Sequence, residues 1–418
     1  MQRNMKQVIQ KEASGIIHVE KGTITSVPGV FTSSCHCGIR KIKEDFSVIF
    51  VPGHTVCSGV FTTNKFSAAP VIVSKQQLAK NRNINAIIIN SGIANACTGN
   101  QGIKNAKATL CLAAQYLKIP WENVLVSSTG RIGRQLPLDK IERGLEYCSR
   151  HLSHEGGHNT AKAILTIDRH PKEHALQFTH EGAGIFLGGI AKGSVMVEPN
   201  MATTLSFITT NAKIDHKLLD ELLFECVDLT FNCISTDGCQ STNDMALIIA
   251  NGESGIEVTK ENKRLYNTFK QGLFMMLESL SIKVVEDGEG ATKVIEIRIT
   301  GAKDKNEARG IGKKVANSIL FKAAMYGEDI NWGRIAAAIG SFENNIDTDS
   351  IDISCGDVCV MKSGMSVEFD EEHANRLLKE RQISFNIIVG NGEGSARILT
   401  NDITYEYIKL NAFYKKQQ

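Results

Sequence analysis

Three short apolar runs set the strongest limit on how this chain folds: Val71-Ile72-Val73, Ala86-Ile87-Ile88-Ile89 and Val124-Leu125-Val126. Runs of this length, rich in β-branched residues, read as buried strands. The last two lead into polar, glycine-containing loops, Asn90-Ser91-Gly92 and Ser127-Ser128-Thr129-Gly130. Stretches with helical spacing alternate with the runs. After Asp215, an N-cap candidate, Leu218, Leu219, Leu222, Leu223, Cys226 and Leu229 share one helical face. Leu265, Phe269, Met276 and Leu280 mark a second helix; Val315, Ile319 and Ala323 mark a third that ends near Gly327. Ile295, Ile297 and Ile299 alternate with Glu296 and Arg298, as in a half-buried strand. The expected class is mixed α/β, with strands facing helices in layers. At 418 residues this is two domains or one two-lobed unit, with a soft boundary at 286–293.

Composition narrows the partners. A formal net charge of +2 leaves neither a nucleic-acid footprint nor an acidic tail. Residues 1–20 are polar and lack the apolar core of about 7–15 residues that a signal peptide needs. No apolar run approaches the roughly 18–20 residues that span a bilayer. The expectation is a soluble, cytoplasmic protein with no membrane contact. Eleven cysteines, scattered from Cys35 to Cys359, point to reduced, mostly buried thiols rather than a disulfide framework. Cys35-His36-Cys37 and Cys355 with Cys359 fit no common zinc spacing, so no metal is expected.

The most informative segment runs from Lys192 to Phe207. Glu198-Pro199-Asn200 is a turn signal, and from Thr203 onward Leu205 and Phe207 fall on one face of a strand with small hydroxyl residues on the other. A hydroxyl held where a tight turn enters a core strand can attack the preceding carbonyl. Here the Thr203 oxygen would attack Ala202, and hydrolysis of the ester would leave Thr203 with a free α-amine. Such a threonine carries its own base, because an α-amine titrates near pH ~8. On pattern alone a threonine opening a strand is more often there for β-propensity.

The segment Lys192–Thr203 resembles the self-processing motif of the bifunctional arginine-biosynthesis family, the glutamate N-acetyltransferase/ornithine acetyltransferases. The family pattern is Lys-Gly-Ser-Gly-Met-Ile-Ala-Pro-Asn-Met-Ala-Thr-Met-Leu, cut between Ala and Thr. Further blocks follow in the family's order: Gly59-Val-Phe-Thr-Thr-Asn-Lys65, Ala94-Asn-Ala-Cys-Thr-Gly99, Ser128-Thr-Gly130, Asp237-Gly238, Ser241-Thr-Asn-Asp244, Gly288-Glu-Gly-Ala-Thr-Lys293 and Asn331-Trp-Gly-Arg334. They span nearly the whole chain.

The resemblance implies a layered sandwich with an N-terminal-nucleophile-like site between an α chain, 1–202, and a β chain, 203–418. A smaller C-terminal lobe would begin near 293. Thr203 would be the acetylated nucleophile, and Thr129 with Gly130 the oxyanion hole. Thr166, Lys192, Thr203, Glu289 and Asn411 would bind substrate. Lys192 suits a carboxylate, and Glu289 suits the ammonium of ornithine. The implied reaction is ping-pong transfer of acetyl from N-acetylornithine to glutamate, without cofactor or metal; some members also take acetyl-CoA as donor. The implied assembly is an α2β2 heterotetramer.

Several positions depart from the pattern. Val195 stands for a glycine, Glu198 for a small apolar residue, Thr204 for methionine and Arg131 for an apolar residue. Ile167-Asp168-Arg169 replaces Thr-Asp-Thr, and Lys416 occupies a position where the family has Thr or Ser. These leave three other readings: an N-terminal-threonine amidohydrolase or aminopeptidase, a paralogue acting on another acyl amino acid, and an inactive relative that does not process itself. Gly189-Ile-Ala-Lys-Gly-Ser194 and the Gly288–Lys293 turn lack P-loop spacing.

Overall fold

A computed structural model describes residues 15–198, 204–343 and 346–413. Two sheets form its centre. The first, of six strands, runs in the order β1 (Ile17–His18), β7 (Lys172–His180), β8 (Ala183–Lys192), β9 (Leu205–Thr210), β11 (Met245–Ala250) and β4 (Val56–Phe61). The second, of four strands, runs β2 (Phe31–Cys35), β3 (Phe46–Phe50), β5 (Ala86–Ile93) and β6 (Val124–Arg131).

Side-chain alternation decides what each face meets. Ile87 and Ile89 of β5 share a core with Leu205 and Phe207 of β9 and with Leu247 and Ile249 of β11, so the sheets pack face to face. Ala86 and Ile88 point the other way, into a core with helices α1 (Ala69–Lys80), α2 (Gly99–Leu117) and α3 (Leu138–Arg150). Beyond the first sheet lie α5 (His216–Leu229) and α6 (Lys263–Glu286), whose leucines cover Ile208, Ala246 and Ile248. The result is four layers: helices, sheet, sheet, helices. Strands buried on both faces read as near-continuous apolar runs, which is why β5 and β6 were legible. A short α4 (Gly157–Ala163) and a two-stranded pairing of β10 (Lys213–Ile214) with β12 (Glu257–Val258) complete this part.

Residues 294–401 supply a third sheet, ordered β16 (Met365–Ser366), β15 (Val358–Lys362), β14 (Asp352–Cys355), β17 (Gln382–Ile388), β13 (Val294–Ala302) and β18 (Gly394–Asn401). It buries its own core against α7 (Lys305–Ala316), α8 (Ile319–Tyr326), α9 (Trp332–Gly340) and α10 (Glu371–Lys379). Helix α11 (Tyr405–Ala412) closes the described chain.

Two expectations are corrected. Val71-Ile72-Val73 is not a strand but lies in α1. Pro70 in the first turn presets a helical φ, and Val71 and Val73 reach separate cores on two sides of the helix. The helix expected through Val315, Ile319 and Ala323 is two helices: α7 ends at Ala316, and the Ser318 side chain accepts from Phe321 N–H to start α8. Asp215 caps α5 as expected, accepting from Lys217 N–H. Among the described residues no helix is long and apolar enough to cross a membrane.

Candidate active site

The site assembles where strand ends meet. β6 runs parallel to β5, pairing Thr129 with Ser91 and Gly130 with Gly92. At Gly130 φ is +127°, and a Cβ there would lie 2.3 Å from the carbonyl carbon of Gly92; only glycine allows that approach. Polar side chains then lace the strand ends together. Ser128 Oγ donates to Asn90 Oδ1 at 2.6 Å, and Asn243 Nδ2 donates to the carbonyls of Ala94 and Ser128 at 2.6 and 2.8 Å. The quoted sequence blocks around Asn90, Ser128 and Asn243 are thus one hydrogen-bonded unit.

Lys192 is the last residue of β8 and is buried. Its Nζ donates to Thr166 Oγ1 at 3.1 Å and to Thr129 Oγ1 at 3.3 Å. Burial pushes its pKa below the usual lysine value, opposed by Asp168, whose carboxylate is 3.9 Å away. Asp168 accepts from Lys172 Nζ at 2.8 Å, Gly193 N–H at 2.6 Å and Thr166 N–H at 3.1 Å. Burial alone would raise its pKa; the charges of Lys192 and Lys172 and the Gly193 N–H outweigh that and hold the carboxyl well below the usual range. Lys172 also donates to Asp287 at 2.6 Å, and Asp287 accepts from Arg169 N–H at 3.0 Å. This buried cluster of Asp168, Lys172 and Asp287 was missed in the sequence, where Asp168 and Arg169 stood only as departures. The lone local signal is the Asp168/Lys172 spacing.

Asp244 lies just before β11, buried, and its Oδ1 accepts from Thr204 N–H at 2.7 Å. Burial pushes its pKa up to about 7. Thr204 has φ +71°, a left-handed conformation unfavourable for a β-branched residue. A Cβ on Gly193 would lie 2.2 Å from Thr204 Cγ2, so the glycine leaves room for this turn. Ala202 and Thr203, the expected cleavage residues, lie outside the described residues, as does Lys416.

Asn411 Nδ2 of α11 donates to Glu289 Oε2 at 2.8 Å, and burial raises the Glu289 pKa. Gly130, Thr166 and Glu289 line one cavity of about 810 Å³, together with the cations Lys41, Lys43, Arg131 and Arg134 on its rim. The six described candidates therefore fall into two groups, Thr129–Lys192–Thr166 beside Gly130, and Glu289–Asn411.

The departures before the expected cleavage site have structural accounts. Val195 is not in the left-handed region; Met196, with φ +54°, makes the turn instead. Glu198 is drawn aside, accepting from Ser235 Oγ at 2.9 Å and from Asn317 Nδ2. Chemically, the site offers a threonine hydroxyl beside a glycine at a strand end, a buried cation, and a carboxyl facing the same cavity. That set suits acyl transfer between small charged molecules.

The ArgJ family model matches residues 31–416. The chain is 41% identical over 405 residues to the arginine biosynthesis bifunctional protein ArgJ of Caldanaerobacter subterraneus subsp. tengcongensis, covering 96% of this chain and 98% of that one. It is 42% identical over 395 residues to the ArgJ protein of Thermotoga neapolitana, with coverage of 93% and 99%. For the ArgJ protein of Bacillus subtilis the identity is 39% over 408 residues, with coverage of 98% and 100%. A crystal structure of Mycobacterium tuberculosis ornithine acetyltransferase complexed with ornithine is 31% identical and covers 45% of this chain and 100% of that chain, with a TM-score of 0.42.

Proposed function

Since the chain belongs to the ArgJ family, we propose that its acetyl transfer runs through Thr203, freed by cleavage after Ala202, with Thr129 and Gly130 stabilising the oxyanion. The protein is an acetyltransferase of arginine biosynthesis, moving acetyl from N-acetylornithine to glutamate. The observation that carries the residue assignment is the buried Lys192 ammonium, bonded to both Thr129 and Thr166. An amino-acid carboxylate entering there meets a desolvated cation.

In the proposed reaction the Thr203 hydroxyl adds to the acetyl carbonyl while its own α-amine takes the proton. Collapse breaks the amide bond, the proton passes to the departing nitrogen, and ornithine leaves an acetyl ester on Thr203. The glutamate amine then attacks that ester, and Thr203 recovers its hydroxyl proton. Glu289, oriented by Asn411, pairs with the ornithine ammonium. Acetyl-CoA as a second donor, the absence of a cofactor, an α2β2 assembly and a cytoplasmic location belong to the same proposal. The test is mass spectrometry with and without glutamate. N-acetylornithine alone should add one acetyl group to the chain beginning at Thr203, and glutamate should remove it as N-acetylglutamate. Steady release of acetate without glutamate would move the reading to an amidohydrolase.

A further inference from the structure

One buried carboxyl has no part in the steps above. Asp244 is 3% exposed, and its Oδ1 holds Thr204 N–H at 2.7 Å. That amide is the peptide link between Thr203 and Thr204, so the bond grips the chain directly after the residue proposed to cut it. Main-chain bonds anchor the grip: Met245 N–H donates to Thr204 O, and Asp244 O accepts from Thr62 N–H, each at 2.9 Å. Thr204 is held at φ +71°, which a β-branched residue leaves unless its surroundings over-determine it. The charged side chain facing Asp244 is Lys192 of β8, itself 3.9 Å from Asp168; the polar neighbours from the other elements, Thr62, Thr204 and Ser241, are neutral.

We propose that Asp244 is a positioning residue for self-cleavage: by accepting from Thr204 N–H it fixes the strained backbone of the residue that directly follows Thr203. The inference rests on the cleavage proposed above. In that step a C–O bond forms from Thr203 to the Ala202 carbonyl carbon, the Ala202–Thr203 C–N bond breaks, and the hydroxyl proton goes to the departing amine. Water then hydrolyses the ester, and Asp244 exchanges no atom.

The test follows cleavage by intact mass after cell-free synthesis, for wild type, Asp244→Asn and Asp244→Ala, with melting curves as the check of folding. Wild type must cut first; an uncut wild type would overturn the cleavage reading itself, and is seen before any variant is compared. Asparagine keeps an acceptor oxygen and should cut within about threefold of wild type. Alanine, if folded, should cut about 10–100-fold more slowly, the scale expected when reacting groups are misplaced. A folded alanine chain cutting at the wild-type rate would overturn the proposal. If the alanine chain does not fold, pH decides. The ionised carboxylate is the stronger acceptor, so wild-type cleavage should gain a step with rising pH that the asparagine chain lacks; the same step in both would overturn the proposal.

Discussion

Lys192 Nζ lies 3.1 Å from Thr166 Oγ1 and 3.3 Å from Thr129 Oγ1, so one buried ammonium joins two hydroxyls from separate parts of the chain. Thr129 lies near the end of β6, whereas Thr166 lies in the loop between α4 and β7. The charge is balanced by Asp168, which Lys172 shares. An incoming carboxylate would complete the pairing, and this places the cost of losing Lys192 on binding.

Lys192→Met keeps the volume and removes the charge. The expected result is a fall in kcat/KM of at least about 30-fold for N-acetylornithine, equivalent to about 2 kcal/mol, carried mainly by KM. Steady-state kinetics on the folded variant check it.

Thr129→Val removes a hydroxyl and little volume. If that hydroxyl meets the oxyanion, kcat falls by about 10²–10³ with little change in KM. The measurement is acetylation of Thr203 in a single turnover, and an unchanged rate would remove Thr129 from the oxyanion hole.

The buried Asp168 carboxyl is held below the usual range by Lys192, Lys172 and the Gly193 N–H. A depressed carboxyl contributes stability above its unfolded pKa of about 3.9 and loses it as pH falls below that value. Asp168→Ala leaves Lys172 with Asp287 alone and should cost about 3–5 kcal/mol at neutral pH. Urea unfolding of wild type and variant should show that gap narrowing below about pH 4.

Arg131 lines the cavity with Arg134 and Lys43. Its positive charge favours the second carboxylate of glutamate over the ammonium of ornithine. Arg131→Val should therefore raise KM for glutamate by up to about fivefold, the range of an exposed ion pair, and leave or lower that for N-acetylornithine.

The sequence announced much of this architecture because its central strands are buried on both faces. Ile87, Ile88 and Ile89 had to be a strand between layers, and they are. Val71-Ile72-Val73 carried the same local signal, but Pro70 and two separate cores made it a helix. The residues around the site were legible through short motifs, since Gly130 passes too close to the Gly92 backbone, and Gly193 too close to the Thr204 side chain, for a Cβ. What stayed hidden was the charge balance. Asp287 lies 115 residues from Lys172, and no local spacing reports such a pair. Asp244 sat inside a quoted motif without a role, because its partner is a backbone amide 40 residues away.

The most direct measurement is the intact mass of the purified chain beside its Thr203→Ala variant. The account expects two wild-type fragments, 1–202 and 203–418, and a variant that stays whole. A wild-type chain that remains in one piece, or a variant that is cut at the same bond, would contradict it.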